Sequence, residues 1–179
     1  MQRLIRLQQG LYLFFLEILI RLQKKHAPIP FNDALKSASR VLVCAPREIK
    51  SGDGISQMVA KLQKVFPLWK LTMVVQSDQL LDADTKKYRR VVLNENNVNQ
   101  MGKVKRRIAD ELGAFDIGID LSIPFDFTNT LLLWNCNIKV RIGFYHPKRE
   151  KLYNLVVRQK NESTLEHTYP ILLNFLQSF

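Results

Sequence analysis

The chain has 179 residues and a mass of 20.9 kDa, which bounds it to one domain or one domain with an appendage. With 46% hydrophobic and 24% charged residues it can build a core, which excludes a chain disordered by composition. Its 27 Lys and Arg against 16 Asp and Glu give a formal charge of +11, favouring an anionic partner: nucleic acid, an anionic membrane surface or a phosphorylated substrate. Two cysteines, Cys44 and Cys136, exclude a disulfide scaffold and a four-cysteine zinc site; the histidines lack metal-ligand spacing, so no metal is expected.

The first segment, Met1–His26, reads as one amphipathic helix. Arg3, Arg6, Gly10, Glu17, Arg21 and Lys24 fall on one narrow stripe. Leu4, Leu7, Leu11, Tyr12, Phe15, Leu16, Ile18, Leu19 and Leu22 cover most of the remaining girth. The run between Arg6 and Arg21 is too short and too polar to span a bilayer, which needs ~20 apolar residues. No small-residue cleavage site follows, so it does not read as a signal peptide. Two placements fit. The helix lies in a membrane interface, with Tyr12, Phe14 and Phe15 at the acyl boundary and basic ends toward anionic headgroups. Otherwise it packs on a partner protein or on its own domain.

Residues 27–39 read as a linker, since Ala27-Pro28-Ile29-Pro30 ends the helix and Phe31–Ser39 is a short turn or helix. From Arg40 onward, apolar runs alternate with helical periods. Strands are expected at Val41–Ala45, Leu71–Val75, Arg90–Leu93, Phe115–Leu121 and Lys139–Phe144. Helices are expected at Ile55–Phe66, around Asp78–Asp84, and at Val98–Leu112, Phe125–Trp134 and Ser163–Phe179. This alternation predicts an α/β, Rossmann-like domain over residues 40–179, with a parallel sheet of five strands covered on both faces. Such sheets bind ligands at the carboxyl ends of their strands.

The loop after the first strand, Pro46–Gly54, is charged and runs into a helix start, where anions are favoured. Arg47, Lys50, Gly52 and Gly54 are its candidate binding residues. Gly52-x-Gly54 is a fragment of a dinucleotide fingerprint, but Gln57 replaces the third glycine and there is no P-loop; no cofactor is expected. Asp53 beside a glycine turn is a candidate general base, or simply the cap of the helix that follows. Asp120, ending the fourth strand, either faces a ligand or bonds to loop amides. Lys148, Arg149, Lys151, Arg158 and Lys160 form a basic cluster, read as solvated surface or as a phosphate or headgroup site. Cys44, Phe125 and Trp134 read as core, and His167 as structural. No helix-turn-helix, zinc finger or RNP pattern accompanies the charge, so nucleic acid is not the expected partner.

Several of these stretches together resemble the N-terminal half of the heptosyltransferases, glycosyltransferase family nine, of GT-B architecture. They are Val41–Ala45, Gly52-Asp53, the helix ending Phe66-Pro67, Leu71–Gln76, Phe115–Leu121, Thr128–Trp134, Lys139–Phe144 and Glu166–Leu173. The Arg141-Ile142-Gly143-Phe144 strand with Asp116–Leu121 before it is the most specific part. The resemblance implies glycosyl transfer from a nucleotide-activated sugar, typically ADP-heptose, to a bacterial lipopolysaccharide core at the cytoplasmic membrane face. It aligns Asp53 with the family's proposed base. The chain departs from the family in its longer charged loop, in Gly54 after the aspartate and in the added N-terminal helix. It also stops at Phe179, where the nucleotide-sugar domain would begin. The expectation is a non-catalytic, glycosyltransferase-derived scaffold or subunit of a membrane assembly, peripheral on the cytoplasmic face of the inner membrane. The alternative is the acceptor-side half of a split glycosyltransferase.

Overall fold

A computed structural model describes residues 2–23, 30–47, 53–76, 88–99, 102–158 and 165–179; for residues 2, 19–23, 53 and 165–167 it describes the backbone alone. The elements are α1 (Gln2–Gln23), α2 (Phe31–Ser37), β1 (Arg40–Cys44), α3 (Asp53–Val65), β2 (Lys70–Val75), β3 (Arg89–Val92), α4 (Arg106–Leu112), β4 (Ile117–Asp120), α5 (Phe127–Asn135), β5 (Val140–Phe144), β6 (Leu155–Val157) and α6 (Leu165–Gln177). The strands form one sheet in the order β3-β2-β1-β4-β5-β6, every pair parallel. This is the α/β, Rossmann-like fold expected from the alternation of runs and periods. Its chain order reverses between β1 and β4, where Cys44 is the register partner of Asp120.

Alternation along each strand divides the core in two. Val41, Val43, Met73, Ile117 and Ile119 face a cluster that includes Leu35, Ile55, Leu62 and Leu172, from α2, α3 and α6. Leu42, Cys44 and Val74 face the other cluster, with Ile108, Leu131 and Leu133 of α4 and α5 and Leu13 and Leu16 of α1. Each fully buried aliphatic side chain here contributes ~1.5–3 kcal/mol relative to exposure. Gly118 permits the tight contact of β4 with α5, since a Cβ there would lie 2.6 Å from Leu133 Cδ2.

Four expectations change. The sheet has six strands, not five: β6 lies between Lys151 and Arg158 of the basic cluster, and its three residues are too few to show a period. The helix expected at Val98–Leu112 forms only over α4. Ahead of it, Val98 bridges Val104 antiparallel around a turn in which Gly102 has φ +82° and Asn99 Oδ1 accepts from Lys103 N. The fifth helix begins at Phe127 because Asp126 caps it, its side chain accepting from Asn129 N. Phe125 and Trp134 are half-buried against the core rather than within it, and the Arg141 guanidinium lies 4.9 Å from the Trp134 ring centroid. The helix expected around Asp78–Asp84 and the side chain of His167 lie outside the described residues.

Candidate functional site

The carboxyl edge of the sheet is crossed by a continuous seam of polar side chains. It starts at exposed Arg47, after β1, whose Nε donates to Gln76 Oε1 at 2.9 Å. Gln76, directly after β2, donates through Nε2 to Asp126 Oδ2 at 2.9 Å and to Asn129 Oδ1 at 3.1 Å. Asn129, fully buried on the first turn of α5, turns its amide nitrogen toward the β1–β4 junction. There it donates to Ala45 O and Ser122 Oγ, both at 2.9 Å, and to Asp120 Oδ1 at 3.3 Å. Its amide thus lies at the switch point of the strand order, the place where sheets of this kind receive ligands.

Asp120 is 0% exposed, and so is Arg149. Their closest approach is 3.1 Å, Arg149 Nη2 to Asp120 Oδ2. The same carboxylate oxygen accepts from Tyr153 Oη at 2.8 Å, and Oδ1 accepts from Ser122 N at 3.0 Å. Burial pushes the Asp120 carboxyl up, while the Arg149 guanidinium and the bonds from Ser122 and Tyr153 pull it down. Arg149 also donates to the carbonyls of Ser122 (2.7 Å), Ile123 (3.3 Å), Phe144 (3.2 Å) and Pro124 (2.7 Å). One guanidinium therefore ties the β4–α5 loop to the end of β5. Gly143 makes room for this arrangement: a Cβ there would stand 2.9 Å from Tyr153 Cε1.

Asp120 is thus the centre of a buried cluster, its carboxylate bonded to a loop amide as one of the two sequence alternatives had it, with an arginine, a phenol and a side-chain amide added. Arg149 leaves the basic surface cluster altogether. Lys148, Lys151 and Arg158 of that cluster are exposed, and Lys160 lies outside the described residues. Cys44 is buried and its thiol is pushed well up by that burial and by Asp120, which favours the protonated thiol of a core residue. His146 packs on Phe125, ring centroids 5.3 Å apart; burial and then Arg149 and Lys148 lower its pKa, favouring the neutral ring.

Of the other expected site residues, Asp53 is the first residue of α3, at the carboxyl edge after β1, and its side chain is outside the described residues, as are Lys50 and Gly52. Gly54 is half-buried, and a Cβ there would meet only the Tyr169 ring, at 4.0 Å. Arg3, Arg6, Phe14 and Phe15 are exposed on α1 and Tyr12 is half-buried; the Arg21 side chain and Lys24 are outside the described residues. Sequence reasoning did not single out Asp126, Asn129 or Tyr153. Asp126-Phe-Thr-Asn129 ahead of an apolar run was an available signal for the cap, Asp being a preferred cap residue. Among the described residues no group of three His, Cys, Asp or Glu could hold a metal ion. An apolar cavity of about 400 Å³, lined by Leu35, Phe66, Trp69 and Leu176, opens at the opposite, amino edge, away from this seam.

The fold is similar to a solved structure, the glycosyl transferase family 9 protein from Veillonella parvula DSM 2008, with a TM-score of 0.58 at 19% identity. The match covers 78% of this chain and 41% of that one, so the chain spans less than half the length of the solved protein. No family model and no curated protein matches the sequence. At that identity the likeness establishes a glycosyltransferase-like α/β fold.

Proposed function

We propose that the protein is a non-catalytic scaffold derived from a glycosyltransferase. It serves as a subunit of a membrane-associated assembly, peripheral on the cytoplasmic face of the inner membrane. One observation carries this reading: the carboxylate, amides and guanidinium that converge on the β1–β4 junction are consumed by one another. Asp120 has an arginine, a phenol, an amide nitrogen and a backbone N–H on its two oxygens. A buried carboxylate so engaged has no lone pair aimed at an acceptor hydroxyl and no path for the proton. The seam is built to hold strands and loops in place, the property a scaffold retains when chemistry is lost.

A second reading is favoured by one position. Asp53 heads α3 on the same edge as exposed Arg47, so a base and an anion-binding cation would flank one loop. The chain would then be the acceptor-side half of a split heptosyltransferase-like enzyme. Transfer needs donor and acceptor held together, and much of the rate comes from that positioning. The test is to mix the purified chain with ADP-heptose and a truncated lipopolysaccharide acceptor and follow product by mass spectrometry. No product is expected. Turnover abolished by Asp53→Asn would overturn the scaffold reading.

A further inference from the structure

The girth of α1 is divided between two duties. Its inner side belongs to the domain: Leu13 and Leu16 are buried in the cluster beneath α4 and α5. Tyr12 meets Phe127 edge-to-face at 6.3 Å between ring centroids, and Glu17 pairs with Lys151 at 2.8 Å. The outer side carries Leu4, Leu7, Leu11, Phe14, Phe15 and Ile18, all exposed, Leu7 at 72% and Phe14 at 58%. At ~100° per residue these six centre about 180° from the inner set, and Arg3 and Arg6 run along one border between the two. The domain core leaves this outer stripe uncovered.

We propose that the outer face of α1 lies in the surface of an anionic lipid bilayer. The helix is then parallel to the membrane plane, the six apolar side chains enter the acyl boundary, and Arg3 and Arg6 meet lipid phosphates. The inference rests on the membrane-associated reading above and names the surface that performs it. Charge complementarity selects the occupant: exposed arginines border the stripe, and the chain carries +11. A parallel second copy would bring the same arginines together, and Glu17 is already engaged by Lys151. Among the described residues no helix is long and apolar enough to cross a membrane, and the inner side of α1 is held by protein. Because Tyr12 packs on Phe127, α1 meets the first residue of α5, the helix that Asp126 caps and that carries Asn129 of the polar seam. The carboxyl edge is thereby held beside the bilayer.

The experiment is flotation of the full chain with vesicles of phosphatidylcholine alone or mixed with phosphatidylglycerol. The wild type should float with the mixed vesicles. Phe14→Ser/Phe15→Ser, which alters only outward side chains, should lower partitioning by about a hundredfold with thermal unfolding unchanged, and Leu7→Ser should lower it independently. Arg3→Gln/Arg6→Gln should cost about tenfold on mixed vesicles and little on phosphatidylcholine. Undiminished flotation of both apolar variants would overturn the assignment of this face and leave membrane association standing. A wild type that stays at the bottom would overturn both. A dimer by light scattering that dissociates in Phe14→Ser/Phe15→Ser, without vesicle binding, would give the stripe to a second copy and overturn the inference.

Discussion

Strand β4 carries an aspartate at each end, and the two do opposite things. Asp116, just before the strand at the amino edge, is exposed and accepts the backbone N–H groups of Ser39 and Arg40, both at 2.9 Å. Asp120, its last residue at the carboxyl edge, is sealed in with Arg149 and Tyr153. The first carboxylate stays exposed and gains two backbone donors, with Ser39 Oγ a third at 3.3 Å. The second has lost water entirely and depends on every partner it has. In the same strand, then, one carboxylate sets the register of the chain entering β1, and the other holds the edge where ligands would bind.

The largest break should come at the buried end. Asp120→Asn keeps the shape but leaves the Arg149 charge without its counter-ion, which should cost ~3–5 kcal/mol by urea unfolding. Arg149→Met should cost a comparable amount, because four carbonyls lose their donor together with the carboxylate. A loss below ~1 kcal/mol for Asp120→Asn, a value typical of exposed pairs, would mean that Asp120 is a solvated group available to a ligand.

Gly143→Ala sharpens the comparison without touching a charge. The new methyl would press on the Tyr153 ring, whose hydroxyl is held by Asp120 and lies 3.2 Å from Thr130 Oγ1. The expected cost is ~1–3 kcal/mol, the range for overpacking a filled core. Tyr153→Phe keeps the ring and removes the hydroxyl. If the methyl acts by displacing that hydroxyl from Asp120, the double variant should cost less than the sum of the two single ones. Strict additivity would locate the damage in strand packing instead.

How much of this was readable from the sequence differs between the ends. Strands β1 to β5 announce themselves as apolar runs bounded by turns, and Asp120 was rightly placed at the carboxyl edge. Its engagement was hidden because Arg149 sits among Lys148, Lys151 and Arg158, residues of the same type that face solvent. Composition cannot tell which cation in a basic run turns inward. Asn129 was hidden for a different reason: it stands between Thr128 and Thr130 on the first turn of α5, and nothing in the sequence tells which of the three polar side chains reaches the sheet edge. On α1 the pattern gave the helix and its polar stripe, but periodicity could not divide the apolar girth into an inner face, held by Leu13 and Leu16, and an outer one.

The smallest effect belongs to the exposed end and has a definite pH signature. Backbone N–H bonding from Arg40 leads in lowering the Asp116 pKa below the ordinary carboxylate range, with Ser39 adding to it. A carboxylate whose folded pKa is depressed contributes its stability above its unfolded pKa, and that contribution is lost as pH falls toward the folded value. The window therefore opens near pH 4 and extends downward. Because Asp116 is exposed, solvent screening holds the contribution to below ~1 kcal/mol. Asp116→Asn still offers a carbonyl oxygen to Ser39 and Arg40 but no charge. It should be slightly less stable than the wild type at neutral pH, with the gap closing as the pH is lowered through that window. Unfolding midpoints in urea at successive pH values measure this directly. A gap that persists unchanged in acid would mean that Asp116 acts by shape and not by charge. The contrast between the two ends of β4 would then be one of burial alone.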